Sequence, residues 1–172
     1  MKAIFSPLLA VLGLLGAVAV AADDSASEAR LKAGFIANFL LFVKWPQDPA
    51  SLVLCSPGAE RSREMLDELA RISGPKRALT IRRVRSANAL DGCHVVFVAA
   101  EQGAALPAVV EAAAGRPVLV IADLDGGAPL GAMLSLVTVG GDRLGFDANL
   151  TTARAAGLSL NARLLQLARR VY

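Results

Sequence analysis

Histidine occurs once, at position 94, and that scarcity removes most catalytic chemistry before any pattern is read. A Ser-His-Asp or Cys-His arrangement would rest wholly on His94, which opens an apolar run ending at Ala99 that reads as a buried strand. Cysteine occurs twice, at 55 and 93; with one histidine this falls short of a structural zinc set, and the spacing fits neither a zinc knuckle nor a haem attachment motif. The Gly-x-Ser-x-Gly elbow, the Gly-x-Gly-x-x-Gly fingerprint and the Gly-Lys pair of a phosphate loop are all missing. Asp123, Asp125, Gly126 and Gly127 follow a strand but lack the terminal glutamate of a calcium loop, so they read as an acidic turn. The expectation is a protein that is not an enzyme and uses no metal or cofactor.

Aromatic residues make up 5% of the chain, and none interleaves with the densest basic stretch, Lys76-Arg77 through Arg82, Arg83 and Arg85. Stacking platforms for bases are therefore absent there, and no nucleic-acid partner is expected. Charge is nearly balanced, with 18 Lys and Arg against 15 Asp and Glu.

Long hydrophobic runs are also scarce; the one that stands out, Leu8 to Val20, follows Met1-Lys2 and precedes the small residues Ala19, Ala21 and Ala22 and then Asp23-Asp24. Those three zones are the pattern of a secretory signal peptide, cleaved after Ala21 or Ala22. An uncleaved anchor is the alternative, but the stretch is shorter than the roughly 20 residues a spanning helix needs. Residues 1–22 are thus expected to be removed, leaving 23–172 as one exported domain. An even cysteine count in an exported chain favours a Cys55–Cys93 disulfide over two buried thiols acting as small hydrophobes.

Within that domain, Leu31, Phe35, Phe39 and Phe42 recur at helical spacing, predicting an amphipathic helix over Ser27–Lys44 that Trp45-Pro46 ends. A strand at Leu52–Cys55, a helix at Glu60–Ile72 closed by Gly74-Pro75, and strands at Leu79–Val84 and Cys93–Ala99 follow, the last apolar enough for a sheet centre. Next come a helix over Gln102–Ala114 with Pro107 early and Gly115 as its stop, and a buried strand at Pro117–Ala122. Met133–Val139 and Arg143–Leu150, joined by Gly140-Gly141, read as an antiparallel hairpin. Helical pieces at Thr151–Ala156 and Asn161–Val171 close the chain, the second with Leu164, Leu165, Leu167 and Ala168 inward. The fold class expected is α/β: a mixed, mainly parallel sheet of about six strands with helices on both faces and a C-terminal antiparallel hairpin.

Several segments read together resemble the YfiR-like family of bacterial periplasmic regulators. They are Lys32–Phe39 running to Phe42-Val43-Lys44-Trp45-Pro46, the strand with Cys55, Asp91–Phe97 with its Cys-His pair, Pro117–Leu119, Leu144–Leu150, Ala155–Leu160 and Leu164–Ala168. Their order and spacing span nearly the whole mature chain. The resemblance implies a periplasmic regulator that represses a membrane-bound diguanylate cyclase or similar sensor by binding its periplasmic part. It also implies sequestration by an outer-membrane lipoprotein, a homodimer, and stability that depends on disulfides. Cys55 and Cys93 match one family cysteine pair, and the second pair of some members is absent. The other reading is a small-ligand binding protein whose pocket lies beside the Trp45-Pro46 corner. In either case Lys44, Trp45 and Asn149 are the candidate ligand or partner contacts, with Trp45 alternatively a plug at the helix exit.

Overall fold

Phe39, one residue in the longest helix, is buried against the last strand of the sheet, and that contact sets how the chain is layered. The computed structural model describes residues 17–172 apart from 59, 61, 74–76, 87–88 and 142, and no side chain before Asp24. Residues 1–16 of the expected signal segment, the Gly74-Pro75 break and Lys76 therefore lie outside the described residues. Helix α1 (Ala17–Phe42) buries Ala33, Ile36, Phe39 and Leu40 on one face. It begins before the Ser27 expected and stops short of Lys44. Val43 and Lys44 leave the helix as β1 (Val43–Lys44), which pairs antiparallel with Leu160 and Ser159, and Pro46 keeps Trp45 from resuming the helix.

The chain continues through β2 (Ser51–Pro57), α2 (Arg63–Ser73), β3 (Ala78–Val84), β4 (Val95–Val98), a 3₁₀ turn (Ala100–Ala105) and α3 (Leu106–Ala113). It ends with β5 (Leu119–Asp123), β6 (Leu134–Val139), β7 (Arg143–Ala148), α4 (Leu150–Ala155), β8 (Ser159–Leu160) and α5 (Ala162–Leu167). Six strands form one sheet in the order β3-β2-β4-β5-β6-β7, parallel except for the final β6–β7 pair; β1 and β8 form a separate antiparallel pair. The hairpin turns at Gly140 and Gly141, with φ of 65° and 93°, values that glycine adopts without the penalty a Cβ would bring. After β2 the chain steps outward to β3, then returns across β2 to place β4 on its other side. That reversal puts α2 and α3 on opposite faces, as right-handed crossovers require.

Strand alternation sorts the core into two layers. Leu54, Val95, Phe97, Leu119 and Ile121 pack with α1 and α2, while Cys55, Val96, Val98, Val120 and Ala122 pack with α3. Phe35, Phe39 and Phe146 meet edge to face, with Phe39 and Phe146 centroids 4.9 Å apart, docking α1 on β7. The final helix is shorter than its spacing predicts. Leu164 is buried and Leu165 and Ala168 touch the core, but Leu167 is 73% exposed. Beyond Ala168 the chain turns extended to bond β7: Arg169 N–H donates to the Phe146 carbonyl (2.8 Å), and Ala148 N–H donates to that of Arg170 (2.9 Å). Those sheet bonds replace the helical ones, so the inward place expected for Leu167 is lost.

Candidate functional site

The turn after β1 gathers most of the features the sequence singles out. Pro46 ends the extended pair, Asp48 takes a positive φ of 40°, and its N–H donates to the Trp45 carbonyl at 3.2 Å. Trp45 is 5% exposed, and its Nε1–H donates to the His94 carbonyl at 3.2 Å. The Arg77 guanidinium lies 5.9 Å from the indole centroid and pairs with Asp48 Oδ1 at 2.7 Å, combining a cation–π contact with an ion pair. His94 is held on both sides: its Nδ1 accepts from Val53 N–H at 3.1 Å, and its own N–H donates to the Val53 carbonyl at 2.9 Å.

Cys55 and Cys93 form a disulfide with their Cα atoms 5.9 Å apart. It joins β2 to the residues entering β4. Arg82, reaching over from the edge strand β3, places Nη2 at 3.0 Å from Cys93 Sγ and also donates to the Asp91 carbonyl. Arg116 clasps the same loop from α3's exit, donating to the Leu90 carbonyl at 3.1 Å. Between corner and loop lies a depression of about 290 Å³ lined in part by Trp45, Pro46, Gly92, His94, Arg116 and Pro117.

Lys44 and Asn149 do not line that depression. Lys44 is exposed on β1 opposite Ser159. Asn149 is 9% exposed and caps α4: its Oδ1 accepts from Thr152 N–H at 2.8 Å and its Nδ2 donates to the Ala128 carbonyl at 2.9 Å. Both ends of its side chain are thus engaged within the fold. Trp45 sits as a buried plug at the helix exit. Of the three candidate contacts, Lys44 is the one facing solvent.

Three arginines at this corner, Arg77, Arg82 and Arg116, escaped the sequence reading, which noted the first two only as part of a basic stretch without interleaved aromatics. No local pattern marks them, since their partners lie 29, 11 and 26 residues away. Two ion-pair clusters at the opposite end of the sheet were hidden in the same way, apart from the i,i+4 spacing of Glu28 and Lys32. Lys32 Nζ meets Asp123 at 2.7 Å and Glu28 at 2.6 Å; burial works against its charge, yet the bonds to Asp123 and Glu28 outweigh it and raise its pKa. Arg169 clamps Asp147, which is 1% exposed, and Asp125, and bonds to both hold it charged well above its ordinary range.

Among the described residues no cluster of three His, Cys, Asp or Glu is placed to hold a metal, and no helix is long and apolar enough to cross a membrane. Fold and corner together define a doubly wound α/β domain whose accessible features are suited to binding. The family described as YfiR/HmsC-like matches residues 29–169, and the chain belongs to it. The Cys55–Cys93 disulfide is of the kind that persists in oxidising compartments. Solved structures with the same fold include a conserved domain protein from Vibrio cholerae O1 biovar El Tor, at 15% identity and a TM-score of 0.54. Another is the ABC domain in complex with L-Trp from Streptococcus pneumonia, at 14% identity and a TM-score of 0.61. Each comparison covers 84% of this chain and 60% of the other, so this chain spans less than two thirds of those proteins.

Proposed function

We propose that this protein is a periplasmic regulator that represses a membrane-bound diguanylate cyclase, or a similar sensor, by binding its periplasmic part. The observation that carries the reading is the family match over residues 29–169, from the first part of α1 that touches the core to the arginine that clamps Asp147. The structure adds an exposed Lys44 beside a rigid turn, a natural place for contact with an acidic partner surface. Residues 1–22 act as the export signal in this reading, and the mature chain begins at Ala22 or Asp23. The active form is a homodimer, and an outer-membrane lipoprotein is its sequestering partner.

Deleting the gene should raise cyclic-di-GMP in the producing cell, and the exported protein should restore the lower level. A version lacking residues 1–22 should fold in the cytoplasm and fail to complement. Lys44→Glu should weaken binding to the cyclase's periplasmic segment at least severalfold while leaving the melting temperature unchanged, since an exposed side chain contributes little to stability. If cyclic-di-GMP does not respond to the deletion and no sensor segment binds, the repressor reading falls and a small-ligand receptor takes its place.

A further inference from the structure

Strand β3 pairs in parallel with β2 along its whole length, from Ala78 opposite Ser51 to Val84 opposite Pro57, and among the described residues no strand lies against its other side. The far border of the sheet is different, since Arg169 N–H bonds to β7 there. Alternate residues of β3 therefore direct backbone N–H and C=O groups outward with no strand to receive them, over a length of 7 residues that suits one added strand.

The side chains along this border fall into two zones. Leu79 and Ile81 pack on the core shared with α1 and α2, yet each is only partly buried. Arg83 continues their row and Arg85 follows two positions on, both exposed. Nearby arginines are engaged: Arg77 with Asp48, Arg82 with Cys93 Sγ and the Asp91 carbonyl, and Arg116 with the Leu90 carbonyl. The side chains of Arg83 and Arg85 have no partner among the described residues. The sequence holds no acidic residue between Glu68 and Asp91, so nothing in this stretch offsets their charge. A second copy would bring the same positive charge to the border, whereas an acidic strand would be drawn to it.

We propose that β3 accepts an extended acidic segment of a partner protein as an added antiparallel strand. The segment carries two carboxylates at alternate positions, opposite Arg85 and Arg83, followed on the same face by two β-branched apolar residues opposite Ile81 and Leu79. Backbone bonds to β3 supply affinity, and the alternate side chains supply selectivity. The arginines that repel another copy thus select the partner. The proposal concerns the chemistry of the segment rather than the protein that carries it, so it stands apart from the cyclase reading and purified protein tests it.

The probe is the peptide acetyl-Glu-Thr-Glu-Thr-Val-Thr-Val-amide. Titrated into the full mature protein, it should bind saturably with a Kd on the order of 1 mM or tighter, with amide shifts and slowed hydrogen exchange concentrated in β3. The same peptide N-methylated on alternate residues, which keeps its charges but removes the donors facing β3, should bind at least tenfold more weakly. Arg83→Glu combined with Arg85→Glu should lose the acidic peptide and take a version with lysine in place of both glutamates, at an unchanged melting temperature because both side chains are exposed. No saturable binding by the wild type overturns the proposal. Equal binding of the N-methylated peptide overturns it too, since the attraction would then be charge alone without strand addition.

Discussion

Asn149 shows how a single side chain can look available in a sequence and be fully committed in a fold. Its carbonyl oxygen holds the first turn of α4 and its amide holds the Ala128 carbonyl, while its backbone N–H donates to Met133 at 2.8 Å. Asn149→Ala removes a helix cap and orphans a buried carbonyl together, so it should cost about 2–3 kcal/mol. Chemical denaturation measures this directly. A loss of partner binding with no loss of stability would show instead that the residue serves recognition. Trp45 belongs to the same class of committed residues. Lys44, one position away, has its side chain in solvent because β1 alternates and Val43 takes the buried side.

At the scale of elements, patterning with a clear period was legible and its ends were not. The apolar run Val95–Val98 reads as a central strand and is one, third from the edge. Gly140-Gly141 correctly marks the antiparallel hairpin. The Asn161–Val171 helix was overrun because Leu167 continues the helical spacing while Arg169 to Tyr172 are drawn away by bonds to β7, a competition only the assembled sheet decides. The disulfide pair was recognisable because the chain offers two cysteines, whereas the arginines around it depend on partners brought close by the crossovers. Helix α1 is tethered the same way, by Lys32 to Asp123 across 91 positions. A lysine whose folded pKa exceeds its ordinary 10.5 contributes stability fully below that value and loses it as pH rises through the folded pKa. Lys32→Met should therefore be less stable than the wild type by about 1–2 kcal/mol at neutral pH, and the gap should close in the alkaline range above 10.5. Melting temperatures of both proteins across that range check it; a gap that stays constant would mean the ammonium is not the source.

For the whole molecule, the disulfide spans the point where the sheet reverses its order, closing a separation of 38 residues between β2 and the entry to β4. In the chain-entropy account a loop of that length is worth about 4 kcal/mol, so Cys93→Ser should lower the melting temperature by roughly 10 °C. Calorimetry of the oxidised and mutant proteins measures it, and equal melting points would place the stability elsewhere. The two borders of the sheet also differ. Arg169 to Tyr172 bond to β7 from Phe146 onward, while among the described residues β3 pairs only with β2 and its outer side has no strand partner. Backbone pairing between molecules through the sheet can then proceed by one full-length border alone. Two copies joined there would satisfy one another and stop, where a sheet bare on both sides would grow into a filament. Arg83 and Arg85, exposed at that border, raise the repulsion between approaching copies further. Removing Arg169–Tyr172 should therefore bare that stretch of β7 as a second border and increase self-association, which sedimentation of the shortened protein would measure.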